Sequence, residues 1–416
     1  MKRILYLVLG LTIALASCKK DEEENPNKFA NEQFYAVMKD AYLWYQHLPN
    51  VNPELFNSPV ELLEALRHQP LDRWSYITTK QELNAYYEEG SYVGFGFASA
   101  FDQQGNLWIT YIFRESPLKA LGIGRGWKIT AVNGVVPTTQ NINSLFGASA
   151  IGIEKTFNFR GPNQENRSET IRKKTIVMNT VLMDSIYTVG SSKVGYFVFK
   201  GFIKPSEDEL DQVFAKFKSG GVSEVIVDLR YNGGGRMDVA NHLGGLLAGN
   251  IANNQVFTRL VHNNKNGQYD TFDSLKIQTQ SITLRRVVFI TTGGSASASE
   301  SLINGLKPYL GVEIVGTKTH GKPVGMYAMT FKEFEWAFVP ICFSVTNKNF
   351  QGDYFEGIPV TIAANDDIAY DFGNTNENSL NKALGVFGFS ATTKKSTATQ
   401  PIYHKKHGLA QEIDAW

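Results

Sequence analysis

The sequence predicts a multi-domain α/β protein, and three observations carry that expectation. Its 416 residues exceed what a single hydrophobic core usually holds, so two or three domains are expected. Across residues 194–315, short β-branched or aromatic runs alternate with helix-length segments, and several of the runs stop at glycine-rich turns. Residues 29–88 differ in kind, with Phe34, Met38, Tyr42, Leu43 and Tyr45 at near-helical spacing and a second helical pattern around 59–68.

In chain order, residues 1–18 read as a secretion signal, in which Met1-Lys2-Arg3 precedes an apolar run over 4–16 and then Ser17-Cys18. That run is short for a helix spanning a bilayer. Residues 19–28, with Lys19-Lys20-Asp21-Glu22-Glu23-Glu24, read as a charged tether. The block 29–88 is expected to be a small helical domain whose aromatics serve packing rather than chemistry. Residues 89–175 are expected to be β-rich, with a short proline-started helix at Ser116-Pro117. Residues 176–395 form the α/β unit, where 194–199 is a strand. There Ser206-Glu207-Asp208-Glu209 is expected to be a capping box opening a helix, with Leu210, Val213, Phe214 and Phe217 on one face. Residues 396–416 read as a weakly specified tail.

Three turns inside the α/β unit gather the chemistry. Val287-Val288-Phe289-Ile290 reads as a buried strand, and Gly294-Ser295-Ala296-Ser297-Ala298-Ser299-Glu300 then opens a helix with Ser297 or Ser299 as N-cap. A hydroxyl there faces free N–H groups and the positive end of a helix dipole, where an oxyanion would be stabilised. A second strand over 312–316 delivers Lys322 from its turn. To act as a base Lys322 must be neutral, yet an unperturbed lysine near pKa 10.4 is uncharged only about once in several thousand molecules at pH 7. An apolar pocket of Ala296, Ala298, Val324 and Met326 would favour the neutral form. The third turn follows a strand over 224–229 and reads Arg230-Tyr231-Asn232-Gly233-Gly234-Gly235, where glycines admit close backbone approach and offer N–H groups to a carbonyl oxygen. Each turn alone has a plainer reading: a small-residue connector, a solvated lysine, an ordinary strand-to-helix turn.

Taken together, residues 228–235, 294–300 and 316–322 resemble, in order and spacing, the motifs of the carboxyl-terminal processing, or tail-specific, serine peptidases. The resemblance implies a crotonase-like (ClpP/crotonase) α/β catalytic core, with Ser297 as nucleophile and Lys322 as general base. It also implies an oxyanion hole from backbone N–H groups of Gly234 and Ala298, with Ser295 and Ser299 structural. Many members carry Gly-x-Val-Gln after the lysine loop, where this chain has Val324-Gly325-Met326. Met326 cannot orient the lysine by hydrogen bonding, so Glu300, one helical turn beyond Ser297, is the candidate for the third catalytic role. Gly94-Phe95-Gly96-Phe97 resembles the glycine loop of PDZ domains, and residues 126–134 are similar to a bacterial PDZ turn with Trp127 in place of the usual Asp. A PDZ-like domain captures a chain end as an added strand, so Gly94, Phe95, Gly96 and Phe97 are expected to bind peptide, the two phenylalanines near its terminal side chain. Asp40-Ala41-Tyr42-Leu43-Trp44 and Asp72-Arg73-Trp74-Ser75-Tyr76 resemble the helical N-terminal domain of Bacteroidetes-type members.

Leu15-Ala16-Ser17-Cys18 resembles a lipobox. This implies lipidation at Cys18, a membrane anchor, and a place in the cell envelope, at the outer membrane facing either periplasm or cell surface. Cys342 is then the remaining thiol and is expected in the core. The formal charge of +1 gives no basic field for nucleic acid, and the seven histidines lack ligand spacing. Asp366-Asp367 lacks the further acidic positions of a calcium loop, so neither metal nor cofactor is expected. Two function classes follow. One is a serine endopeptidase that takes polypeptides with accessible C-termini and cleaves through an acyl-enzyme at Ser297. The other, motivated by Met326 and Trp127, is a noncatalytic peptide- or ligand-binding protein on the same scaffold.

Overall fold

The structure, a computed structural model, describes residues 25–390, 401–402 and 408–415; Cys18, the expected signal and most of the tether lie outside them. The architecture is multi-domain α/β, as expected. Its central sheet has six strands in the order Ile362–Ala363, Gly311–Gly316, Arg286–Thr291, Glu224–Asp228, Ser192–Phe199, Val181–Val189. The first five run parallel and Val181–Val189 closes one edge antiparallel. The apolar runs are unbroken because helices cover both faces. Val225, Val227, Val287 and Phe289 meet the helices Ser206–Ser219, Met237–Ala252 and Ala298–Leu306. Their alternating neighbours Ile226, Val288 and Ile290 pack with Leu380 and Leu384 of Asn378–Gly385, the two-residue period of a strand. Register places Asp228 beside Ile290 and Thr291 beside Gly316, so the three glycine-rich turns leave the sheet side by side at its C-terminal edge.

The helices Lys28–Ala41 and Pro59–Leu66 do not close a core by themselves. Phe34, Met38, Leu62 and Leu63 share theirs with Val324, Phe338 and Ile341, and Tyr76–Thr79 pairs antiparallel with Trp336–Val339. The capping box expected at Ser206 is absent. Pro205 is the N-cap, Ser206 Oγ donates to Gly201 O at 2.8 Å, and Glu209 accepts the N–H groups of Thr180 and Val181, each at 2.7 Å. The helix-opening carboxylate is drawn to a neighbouring strand's unsatisfied donors; a capping box forms instead at Thr79 and Glu82. Cys342 is buried, and burial pushes its thiol up to about 12, which suits an inert core residue.

A second sheet joins Phe97–Asp102, Leu107–Ile112, Lys128–Val132, Glu154–Arg160 and Asn166–Arg172, all antiparallel, over a core of Phe95, Phe97, Phe146, Phe157 and Phe159. The far end of the chain is more specified than its composition implied. Pro401–Ile402 adds to the outer edge of Phe97–Asp102, and Leu409–Ile413 forms a short helix.

Candidate active site

Ser297 caps the helix Ala298–Leu306 with φ 56° and ψ −115°. For a residue with a side chain that left-handed region costs roughly 1–3 kcal/mol, so the surroundings must impose it. They do so through its serine neighbours. Ser295 Oγ donates to Leu229 O at 2.7 Å and accepts from Thr292 N at 3.0 Å, and Ser299 Oγ donates to Asn232 O at 3.0 Å. Both fasten the loop to the turn that follows Asp228. Ser297 itself borders a cavity of about 630 Å³ whose wall includes Leu260, Met326, Phe343 and Val345.

That turn is built to come close. Asn232 Nδ2 donates to Phe199 O at 3.0 Å, and Gly234 has φ 109°. A Cβ on Gly234 would stand 2.7 Å from Ser297 Cβ and 3.1 Å from Ala298 N, so glycine is required. The Gly234 N–H, expected to face a substrate oxygen, donates to Asn232 Oδ1 at 2.9 Å in this conformation; an Asx-type turn has taken it up. Beneath lies Arg230, fully buried, paired with Asp228 at 2.6 Å, Asp366 at 2.8 Å and Glu377 at 3.0 Å. Arg125, from the loop before Lys128–Val132, reaches Asp366 and the Tyr231 hydroxyl, both at 2.6 Å. Each of these buried charges thereby has a partner, and the second sheet is keyed to the turn that follows Asp228. Asp366, weighed in the sequence only as a calcium ligand, holds two arginines.

Glu300 joins the Ser297 and Lys322 loops. It is fully buried; its Oε2 accepts Ser297 N at 2.9 Å and Lys322 N at 2.8 Å, and its Oε1 accepts Gly321 N at 2.6 Å and Thr319 Oγ1 at 2.5 Å. Burial raises its carboxyl above the ordinary range, and the four hydrogen bonds act in the opposite sense. The expected role was to orient the Lys322 amine; the bonds described run to the Lys322 backbone instead. Because a single oxygen takes both N–H groups, the backbones of Ser297 and Lys322 stand no further apart than two hydrogen bonds allow. Lys322 is 4% exposed, and its Nζ lies 3.9 Å from Met326 Sδ, on the wall of the cavity that Ser297 borders. Ala296, Ala298 and Val324 are buried as well.

Trp74, assigned to packing, touches this loop: its indole donates to His320 Nε2 at 3.1 Å. An indole N–H only donates, so Nε2 is the unprotonated nitrogen and Nδ1 is left to donate to Gly293 O at 3.3 Å. The His320 N–H also donates to Ser295 O at 2.9 Å. His320 thus braces the Lys322 loop against the Ser297 loop. The Trp74 contact joins partners 246 positions apart, which no local pattern registers.

The expected peptide-binding residues divide. Gly96, at φ 81°, lets the loop turn where a Cβ would strike Ser116 at 2.8 Å. Phe95 and Phe97 are fully buried against Phe146 and Phe157, so they fill the core of their own sheet and do not line a pocket for a terminal side chain. The glycine-loop pattern fits both uses, because a strand entering a core also needs alternate aromatics. Beside Phe97–Asp102 lies a cavity of about 800 Å³ that borders Ser99, Ile142, Lys173, Gly294 and His320.

Residues 193–342 match the model of peptidase family S41, and residues 30–76 match the peptidase S41 N-terminal domain. These matches identify a peptidase family S41 domain and an S41 N-terminal domain within this chain. A "Probable CtpA-like serine protease" of Staphylococcus haemolyticus (strain JCSC1435) is 24% identical over 331 residues, covering 78% of this chain and 62% of the relative. Its counterpart in Staphylococcus aureus (strain MRSA252) is 24% identical over 343 residues, covering 79% and 62%. The chain therefore spans about 62% of the length of these curated relatives. Among solved structures, "Putative S41 protease from Bacteroides fragilis NCTC 9343" superposes with TM-score 0.70 at 26% identity, covering 85% of this chain and 96% of that one. The photosystem II D1 C-terminal processing protease shares the fold at TM-score 0.52 and 15% identity, covering 81% and 93%.

Proposed function

We propose that this chain is a serine endopeptidase of the C-terminal processing type, with Ser297 as nucleophile and Lys322 as general base. The observation that carries the reading is the Glu300 carboxylate shared by the backbones of both residues. Ser297 Oγ attacks the scissile carbonyl carbon while its proton passes to neutral Lys322 Nζ. The oxygen that gains charge lies at the helix N-terminus, where Ala298 supplies the first N–H. As the C–N bond breaks, Nζ returns the proton to the departing amine, and water then hydrolyses the ester with Lys322 again taking the proton. Leu260, Met326, Phe343 and Val345 favour an apolar side chain next to the scissile bond. A thioether is a weaker partner for an ammonium than an amide or carboxylate, so Met326 suits an amine that must be neutral. The sheet holding Phe97–Asp102 serves as a PDZ-like unit that receives a substrate's C-terminal end by strand addition, and the expected lipid on Cys18 places the enzyme in the cell envelope.

A fluorophosphonate probe tests the core of this. Wild type is expected to be labelled and to digest casein, with both signals lost in Ser297→Ala and in Lys322→Ala. Wild type that takes no label and leaves casein whole overturns the reading and returns the chain to the class of binding proteins.

A further inference from the structure

The strand Phe97–Asp102 has Leu107–Ile112 on one side and, on the other, two residues from the far end of the same chain. Pro401 pairs with Asp102 and Ile402 with Phe101, antiparallel. An edge strand exposes a row of N–H and C=O groups that an extended polypeptide can complete, and antiparallel addition is how such an edge takes one. This edge begins directly after the Gly96 turn and faces the helix Ile142–Phe146 across the cavity of about 800 Å³. Ile402, Ala410 and Asp414 form part of that cavity's wall, opposite Gly293, Gly294 and His320 of the nucleophile and base loops.

The rest of the described tail is anchored. Leu409 is buried in a cluster with Tyr76, Tyr92 and Tyr111, and the Tyr111 hydroxyl donates to Asp414 O at 3.0 Å. Two paired residues alone would be a weak hold, and Leu409 supplies the apolar contact they lack.

We propose that the C-terminal segment is a built-in occupant of the Phe97–Asp102 edge and competes there with incoming polypeptide. This rests on reading that edge as the receiving site. A tethered competitor acts at an effective concentration near millimolar, so a free segment that binds at about 0.1 mM would meet its site roughly ten-fold weakened.

The test measures binding in Ser297→Ala background, where nothing is digested. A fluorescent peptide of residues 396–416 is titrated by anisotropy against the full chain, a chain ending at Ser390, and full-length Leu409→Asp. The chain ending at Ser390 is expected to bind about ten-fold more tightly than the parent, with Leu409→Asp in between. Should the shortened chain fail to melt cooperatively, Leu409→Asp against the parent decides. Equal affinity in all three, or no binding by either released form, overturns the proposal. An unrelated peptide, with a free or an amidated C-terminus, separates the two readings. If only the 396–416 peptide binds, the segment is an occupant but the edge is no general receiver of chain ends. Fluorophosphonate labelling of wild type is independent of every one of these results.

Discussion

The loop that carries Ser297 is fastened to its neighbours by Ser295, Ser299 and Glu300, all fully buried, through bonds that span at most 67 positions of one sheet unit. The outer edge of Phe97–Asp102 is closed instead by two residues about 300 positions away, one of them a proline that has no N–H to give. Both places handle a polypeptide in the proposed reaction, and the contrast between them follows from what each must do. A reacting serine and its base must keep one geometry, which buried, fully bonded polar groups enforce. A receiving edge must exchange occupants, which calls for a modest, separable hold.

The largest expected effect comes from cutting the tie on which the first region depends. Glu300→Ala leaves three backbone N–H groups, two of them buried, and the Thr319 hydroxyl without their acceptor. Turnover is expected to fall by about 1,000-fold or more and stability by about 3 kcal/mol, read from kcat and urea midpoints. Glu300→Gln, which keeps one acceptor oxygen, should recover part of the stability and less of the turnover. A variant that loses stability but keeps its kcat would show that the shared carboxylate does not set the catalytic geometry.

Gly234→Ala comes next. The added methyl meets Ser297 Cβ at 2.7 Å and Ala296 O at 2.9 Å on a backbone at φ 109°. About a 100-fold loss in kcat/KM with a smaller stability loss, of about 1–3 kcal/mol, is expected. Met326→Glu should be milder but more telling. A carboxylate in place of the sulfur 3.9 Å from Lys322 Nζ would hold the ammonium, so activity at pH 7 should drop by roughly ten-fold and recover as pH rises. A pH profile unchanged from wild type would remove Lys322 from the role of base.

How legible these two regions were in the sequence differs for the same reason. The parallel strands, the helix after Ser297 and the convergence of three glycine turns were readable, because continuous β-branched runs ending in glycine have few other uses in an α/β chain. Local chemistry narrowed the N-cap to Ser297 or Ser299, and the structure has Ser297 there. What stayed hidden were contacts fixed only by the finished fold: Trp74 on His320, Arg125 on Asp366, and the pairing of Ile402 with Phe101. Phe95 and Phe97 were misassigned because a motif tells which residues alternate and not which side of them is solvent. The box at Ser206 failed because a distant strand's donors outcompeted the helix's own, which a local pattern cannot register.

The smallest expected effect lies in the cavity beside the proposed receiving edge and concerns one lysine. Lys173 is buried and donates to Gly147 O at 2.9 Å and Ala148 O at 2.8 Å, with its ammonium 5.0 Å from the Phe95 ring centroid. Burial, with Lys155 nearby, pushes it down to about 8. The sign follows from linkage. A base whose folded value lies below its unfolded value of about 10.4 penalises the folded state wherever it is charged in both, that is below about pH 8. The penalty fades as pH rises from about 8 to 10.4, so this residue adds stability over that window. Lys173→Met carries no such charge, and its melting temperature relative to wild type should therefore be most favourable at pH 7 and slip by a few degrees towards pH 10. A pH-independent difference between the two would mean that the carbonyls of Gly147 and Ala148 compensate the ammonium fully, and that the receiving site is as tightly fastened as the loop around Ser297.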